Sequence, residues 1–597
     1  MELLFIYVKT VRGQSYDLEF AFNGSYKVAY NKKDKKIDIG PNDNSASGLF
    51  DKHITNINAV VGRNGVGKST LLSLLGLQKI DRRFELSPAE WFAVYHLEDD
   101  LFAVEGYNSE LLLCSPIQVE KDFIFYFNEK NPGAIYQWDL NAEKINSFKN
   151  QSVVLHFAEM KKRKPNFQDD ANISFKRDYL LTENQWVYKY LLEEYAELDE
   201  RVKHDHVKLF VPSHFSSSEI SDLDNILLYE ELDGFYTKER IYTRGVKNFD
   251  KIKNGKHLFI LHMLEMLINE HMLLSSKDPF PDSIDQSIDK KIAAKFMVYN
   301  NKLYSGKLDD YPGIKYFLLN RLYEFVNIAD DVHGIPTEMD WLAIVNLLEE
   351  FPENYFTYNN NECCLTITLG QYDSRVFDLL TLRSKGCIVN PFKIKFPEKS
   401  DGEFSIIRIM SSIYSKIETN LEYGRIKFLI LIDEIDRHLH PEWNRTFLSR
   451  LLSVLHKYKD TAEFQIIMTT HSPYLISDLP KENILRISRV SDSLSVSHSN
   501  FGFGSNIYDI INDSFFLDSP IGEFANTKIA GLIAFIRGEN TAEYTVSSAR
   551  NVIDLIGDPL IKNRLLQMFH SRFGENESTL AEIEKLEKRI AQLKKEL

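Results

Sequence analysis

The chain opens with MELLFIYVKT, apolar for about six positions before charges appear, which reads as a first strand. A second strand and a polar loop rich in Asn, Lys and Asp, from Asn31 to Ser47, follow it. Next come a short apolar strand ending at Val61 and a helix beginning near Lys68. Between residues 85 and 215, short β-rich runs at Trp91 to His96, Leu101 to Glu105, Phe123 to Phe127, Val153 to Phe157 and Val207 to Val211 alternate with polar turns, and are expected to build one sheet-containing lobe. From Ile220 to Glu350 the period changes. HLFILHMLEMLINEHMLL and WLAIVNLLEEF repeat apolar positions at three- and four-residue steps, as amphipathic helices do. A second mixed region runs from Leu365 to Val496, and a mostly helical segment closes the chain. There Ile583, Leu586, Ile590, Leu593 and Leu597 recur by three and four behind a Thr579–Glu582 capping box; this helix either docks on its own domain or pairs weakly as a coiled coil.

A length of 597 residues exceeds what one hydrophobic core supports. The expected division is a first lobe over 1–215, a mainly helical insert over 216–364, a second lobe over 365–498 and a helical segment over 499–597. With 44% hydrophobic and 26% charged residues the chain has the make-up of a folded globular protein. Its net charge of −15 argues against a uniformly basic nucleic-acid binder, and the run Lys161, Lys162, Arg163, Lys164 is read as solvated surface. Cys114, Cys363, Cys364 and Cys387 form no paired zinc or disulfide pattern, so buried, reduced thiols are expected. No window approaches the roughly 20 apolar residues of a membrane span, and the N-terminus is too short for a signal core, so a cytoplasmic location with no membrane partner is expected.

The first chemical motif is Gly62-Arg63-Asn64-Gly65-Val66-Gly67-Lys68-Ser69, followed by Thr70. It matches G-x-x-x-x-G-K-[ST], and it lies between an apolar strand and a helix, the context this phosphate-binding loop requires. Gly62, Gly65 and Gly67 let successive main-chain N–H groups turn inward toward phosphate oxygens, and the helix start adds its positive end. Lys68 is placed to meet the β and γ phosphates, and the Ser69 hydroxyl to bind Mg²⁺.

The second is the apolar run Phe428 to Ile432, a buried parallel strand ending in Asp433-Glu434. Carboxylates at the mouth of a buried strand are costly unless they hold a cation or a reacting water. Asp433 is therefore the candidate for Mg²⁺, bound directly or through water, and Glu434 for orienting or deprotonating the water that attacks the γ-phosphate. A further strand, Phe464 to Met468, precedes Thr469-Thr470-His471-Ser472, which makes His471 a candidate contact for the γ-phosphate or that water. Ser400-Asp401-Gly402-Glu403 stands at the start of the amphipathic helix FSIIRIMSSIYSKI, a further anion site.

This order of motifs resembles the ABC-type ATPase heads of the SMC, RecF and OLD group. The resemblance implies an α/β P-loop NTPase with mixed sheet lobes that binds ATP and Mg²⁺ and hydrolyses ATP. It also implies that Ser400 and Gly402 cap a nucleotide held by a second subunit, so that the chain works as a homodimer or higher homo-oligomer, with Asp436 to Pro441 crossing the interface. The family's glutamine loop has no assigned residue, since neither Gln137 nor Gln151 fits. His438 and His440 have no third ligand at metal-like spacing and are assigned to the loop. Asn31-Lys32-Lys33-Asp34 matches the guanine-selecting N-K-x-D motif but precedes the phosphate loop, so adenine is favoured.

The 365 residues between Lys68 and Asp433 hold no sustained heptads, which argues against SMC-type arms. About 125 residues follow His471, and Asp509, Asp513 and Asp518 do not form the acidic pattern of the nuclease domain that OLD proteins carry. The stretch from Phe501 to Ile529 instead resembles the C-terminal region of AAA-type ATPases of antiphage systems, the Septu and retron-associated group. That resemblance implies an ATPase controlling a separate HNH nuclease, with DNA as a further candidate partner; Phe515, Phe516 and Leu517 also suit a helical lid packed on the head. The competing readings are a RecF-like DNA-repair ATPase and a nucleotide-gated binding module with little turnover.

Overall fold

The computed structural model describes residues 1–42, 49–98, 101–112, 122–128, 148, 150–157, 176–179, 184–192, 206–211, 252–276, 310–320, 322, 341–358, 363–368, 373–381, 392–395, 401–434, 436, 439–490, 493–515, 521–539, 543–574 and 586. Two compact units divide the chain, Met1–His498 and Ser499–Leu597.

In the first unit, β1 (Glu2–Val11) pairs antiparallel with β2 (Gln14–Ala21) on one side and β6 (Ala89–Glu98) on the other, and β7 (Leu101–Tyr107) and β8 (Asp122–Asn128) extend the sheet beyond β6. A separate hairpin, β3 (Tyr26–Asn31) and β4 (Lys36–Pro41), occupies part of the segment expected to be a polar loop. The Asn31 side chain explains the N-K-x-D match there: its Oδ1 accepts the Lys33 and Asp34 amides, forming an Asx-type turn at the hairpin tip.

The second sheet has seven strands and carries the site. Its centre is parallel: β15 (Lys427–Ile432) lies between β9 (Ser152–Phe157) and β16 (Glu463–Thr469), and β16 pairs in turn with β5 (Ile54–Gly62). β10 (Lys176–Tyr179) continues the sheet past β9; β17 (Ile484–Val490) pairs parallel with β5, and β18 (Ser493–His498) runs antiparallel to β17 at the far edge. A strand flanked on both sides and covered on both faces has no use for alternation, and Phe428 to Ile432 are all fully buried. A four-stranded antiparallel sheet combines β12 (Phe356–Tyr358), β13 (Cys363–Thr368), β11 (His206–Phe210) and β14 (Lys393–Lys395).

The runs between residues 85 and 215 are strands as expected, but they do not join in one sheet. β6 to β8 belong to the first sheet, β9 and β10 to the second, and β11 to the third. Short apolar runs show their length in sequence and not their partner.

Helix α1 (Lys68–Gly76) follows β5. α2 (Gly255–Ser276) and α3 (Trp341–Glu349) carry the helical periodicity read between Ile220 and Glu350. α4 (Asp401–Glu422) buries Ile406, Met410, Ile413 and Ile417, one stripe at four- and three-residue steps. α5 (Pro441–His456) starts with proline in its first turn, where a missing N–H costs nothing. Cys363 and Cys364 are buried thiols outside any disulfide; Cys114 and Cys387 lie outside the described residues, as do Lys161 to Lys164 and the Thr579–Glu582 cap.

In the second unit, α6 (Ile507–Ser514), α7 (Glu523–Arg537), α8 (Val546–Asp554) and a helix over 559–574 enclose a small core around Leu532, Phe535, Ile553 and Phe569. Asp513 is structural: its carboxylate accepts Ser499 Oγ at 2.8 Å and the Asn500 amide at 3.0 Å. Phe516, Leu517 and Asp518 lie outside the described residues. Among the described residues no helix is long and apolar enough to cross a membrane.

Gln465 joins the first two sheets. It is fully buried, and its side-chain amide accepts the Leu3 N–H at 2.6 Å and donates to the Leu3 carbonyl at 2.9 Å. Gln465→Leu leaves both main-chain groups buried and unpaired, a loss on the order of 2–4 kcal/mol. Thermal melting is expected to show a clearly lower midpoint than wild type; an unchanged midpoint would remove this link from the account of how the sheets are held.

Candidate functional site

Parallel strands place their C-terminal ends on one edge, and this geometry assembles the site. Ile432 pairs with Met468 and Met468 with Ala59, so β15, β16 and β5 run level. At about 4.8 Å between strands, Asp433 and the phosphate loop stand about 10 Å apart across the same edge. Asp433, Glu434, His471 and the 62–69 loop are therefore brought together.

The loop conformation depends on glycine: Gly62, Gly65 and Gly67 all have positive φ. Gly67 caps α1 with φ 102°, a left-handed geometry that L side chains rarely adopt, and a Cβ there would stand 2.8 Å from the half-buried Tyr16 ring. Gly62, at φ 158°, also has a backbone conformation that L side chains rarely adopt, and a Cβ there would stand 2.6 Å from the Ile487 carbonyl of β17. Lys68 folds back into the loop, donating to the Gly62 carbonyl at 2.9 Å and the Arg63 carbonyl at 3.2 Å. Asn64 and Gly65 are exposed; Ser69 and Thr70 are half-buried in the first turn of α1. The opposite end of α1 is held by the buried Arg177, whose Nε donates to the Leu75 carbonyl at 2.8 Å while its Nη2 meets Glu105 at 2.7 Å. A cation there complements the negative end of the helix.

Across the edge, Thr469 binds both acidic residues. Its hydroxyl donates to Asp433 Oδ1 at 2.5 Å and accepts the Glu434 amide at 2.8 Å. Glu434 itself has φ 45°, a left-handed conformation costing a non-glycine residue about 1–3 kcal/mol. Asp436 holds the next loop: its carboxylate accepts the Thr470 hydroxyl at 2.7 Å and the His471 amide at 3.0 Å. The composition of the motif gave no reason to single out Thr469, Thr470 and Asp436 as clamps. A pair of hydroxyl residues directly after a strand that borders a carboxylate-rich loop is the signal that was available.

The charges form one field. Burial lowers the Lys68 pKa, and Glu434, Asp433 and Asp436 oppose that shift. Burial followed by the Lys68 charge lowers the His471 pKa, with Asp436 and Glu434 opposing. Lys68, His471 and the three carboxylates thus share a single electrostatic neighbourhood, with His471 kept neutral at physiological pH. A hydroxyl at Ser69 and a carboxylate at Asp433 are hard oxygen donors, the set that suits Mg²⁺.

Not every expected residue can be placed here. Ser400 lies outside the described residues, and Gly402 sits half-buried in the first turn of α4. Gln137 and His438 lie outside the described residues too. Gln151 precedes β9, and its carbonyl accepts the Ile426 amide, so it belongs to the edge opposite the phosphate loop. His440 caps α5, its Nδ1 accepting the Glu442 amide at 3.3 Å.

Residues 349–477 match the family model described as "AAA domain, putative AbiEii toxin, Type IV TA system". The chain carries an AAA-family domain. The matched segment contains Asp433, Glu434, His471 and the start of α4, while the phosphate loop lies 280 residues or more before it (349 − 69). Among curated proteins the chain is similar to the Septu protein PtuA of Bacillus thuringiensis, 29% identical over 223 residues, or 35% of this chain and 52% of that protein. It is also similar to the "Retron Vc95 probable ATPase" of Vibrio cholerae serotype O1 biovar El Tor, 29% identical over 143 residues covering 22% of this chain and 26% of that one. The Septu protein PtuA of Bacillus mycoides (strain KBAB4) is 35% identical over 85 residues, 14% of this chain and 11% of that protein. The match thus spans about half the length of the first of these relatives and about a quarter of the second.

The shared field gives a pH test. Lys68→Met removes a neighbouring cation that holds the His471 proton affinity down, so the His471 pKa rises toward 6.5. Histidine-labelled protein, with the signal assigned through His471→Gln, allows this to be followed by NMR titration; an unmoved or lowered pKa contradicts the proximity. The same sign makes the folded protein lose the His471 contribution as pH falls below 6.5, because the unfolded chain takes up that proton first.

Proposed function

We propose that this protein binds ATP with Mg²⁺ at the C-terminal edge of its central parallel sheet and hydrolyses the γ-phosphate. The observation that carries the proposal is the convergence on one edge of the 62–69 loop, the Asp433–Glu434 strand end and the His471 loop. Main-chain amides of Gly62 to Lys68, with Asn64 and Thr70 alongside, would cradle the phosphates at the positive end of α1. Lys68 would exchange its contacts with the Gly62 and Arg63 carbonyls for phosphate oxygens. Ser69 and Asp433 would hold Mg²⁺, which neutralises charge developing on the phosphate oxygens. Glu434, its main chain fixed by Thr469, would orient or deprotonate the attacking water, and His471 would contact the γ-phosphate or that water.

Ser400 and Gly402, the latter in the first turn of α4, would cap the nucleotide of a second copy, which makes the working unit a homodimer or higher homo-oligomer. The biological setting we infer is antiphage defence. Similarity to Septu PtuA and to the Retron Vc95 protein supports it, together with the tail pattern from Phe501 to Ile529. In that setting the ATPase would regulate or scaffold a separately encoded HNH nuclease acting on DNA.

Lys68→Ala is expected to abolish nucleotide binding measured with a fluorescent ATP analogue, since it removes the buried cation facing the phosphates. Glu434→Gln is expected to keep that affinity while phosphate release drops at least a hundredfold. Equal turnover in Glu434→Gln and wild type would remove Glu434 from the chemistry, and wild-type affinity in Lys68→Ala would overturn the site assignment.

A further inference from the structure

At the sheet edge opposite the nucleotide site, Asp51, His53 and His456 bring one ligand atom each to within 4.8 Å of one another. They come from distant parts of the chain. Asp51 and His53 lead into β5, and His456 is the last residue of α5. The scaffold around them is pinned: the Asp51 carbonyl accepts the Ile54 amide at 2.8 Å, and the His53 carbonyl accepts the Phe464 amide at 2.8 Å.

The side chains point to a ligand beyond the pair they already make. His456 Nδ1 and Asp51 Oδ2 are 2.9 Å apart, a contact on the exposed surface. His53 differs. It is only 6% exposed, its ring meets the His456 ring edge-on at 5.8 Å, and its Nε2 has no hydrogen-bond partner among the described residues. An imidazole nitrogen buried without a partner forfeits about 1–3 kcal/mol, which coordination would recover.

We propose that Asp51, His53 and His456 form a binding site for a borderline divalent transition-metal ion of the Zn²⁺ type. Two imidazoles and one carboxylate favour such an ion over Mg²⁺ or Ca²⁺, which take oxygen ligands. Ligand atoms around a tetrahedral ion with bonds of ~2.0–2.1 Å stand about 3.3 Å apart, so closure needs only sub-ångström to ångström adjustments of the exposed Asp51 and His456. Three protein ligands leave the fourth position to water. The bound ion would fasten the end of α5 to the start of β5, the two elements whose other ends carry the loop after Glu434 and the phosphate loop.

The test uses full-length, tag-free protein stripped with a chelator, then titrated with Zn²⁺ calorimetrically in excess Mg²⁺, and with Co²⁺ for its visible absorption. One Zn²⁺ per chain is expected, with intense tetrahedral Co²⁺ bands and a higher melting temperature on loading. His456→Asn, on an exposed position that leaves the fold intact, and His53→Gln are each expected to weaken Zn²⁺ binding at least tenfold and to abolish the melting shift. Asp433→Asn, altered at the nucleotide edge, is expected to bind Zn²⁺ as wild type does. Absence of saturable Zn²⁺ binding to wild type, or wild-type affinity in His456→Asn and His53→Gln, would overturn the proposal.

Discussion

The whole arrangement depends on one constraint: β5, β16 and β15 run parallel and end level. A buried ammonium at Lys68 is held by the Gly62 and Arg63 carbonyls, and Glu434, Asp433 and Asp436 raise its proton affinity against the effect of burial. Those carboxylates are more than 360 residues away in sequence, since 433 − 68 is 365. Only strand pairing brings them near, and a slip of one residue in β16 would exchange the side chains on its two buried faces and misplace both Thr469 and His471. The apolar content of β15 and β16 therefore sets the electrostatics. Register decides which charges meet.

Given that alignment, the edge is organised further by hydroxyl and carboxylate clamps. Thr469 fixes Asp433 and the Glu434 main chain together, and Asp436 does the same for the loop bearing His471. Glu434 sits in a left-handed conformation, which costs free energy that a glycine would avoid. A glutamate retained where glycine would be more comfortable is consistent with a carboxylate needed at that point in space. The clamp from Thr469 is what keeps the strained main chain from relaxing toward an ordinary turn.

The sequence revealed the local parts of this site and not its supports. Gly62 to Ser69 and Phe428 to Glu434 could be read directly, because glycine spacing and an apolar run ending in carboxylates each reflect a local physical need. The sheet membership of Val153 to Phe157 could not. That run looks like its neighbours in composition, yet it pairs with β15 rather than with β6 to β8, and a strand's partner is a non-local property. The same limit hid the β3–β4 hairpin behind polar side chains, since a two-stranded ribbon exposed on one face carries many polar residues. It also hid the Asp51–His456 pair, whose members stand 405 positions apart, while His438 and His440 drew attention only by lying close in sequence.

Helix α5 connects the two edges of the sheet. Its first turn follows the loop that carries Asp436, and its last residue is His456. Sixteen residues at about 1.5 Å each make a rod of about 24 Å, comparable to the length of the strands it lies against. Its buried apolar face, Phe447, Leu448, Leu451, Val454 and Leu455, runs from the second turn to the last, and the first turn buries the polar Asn444. Close packing along most of its length favours transmitting a displacement from one end to the other over absorbing it locally. Anything that fixes His456 against the start of β5 therefore also limits where the loop after Glu434 can go. The far edge of the sheet thus has a packed connection, through α5, to the loop that carries Asp436.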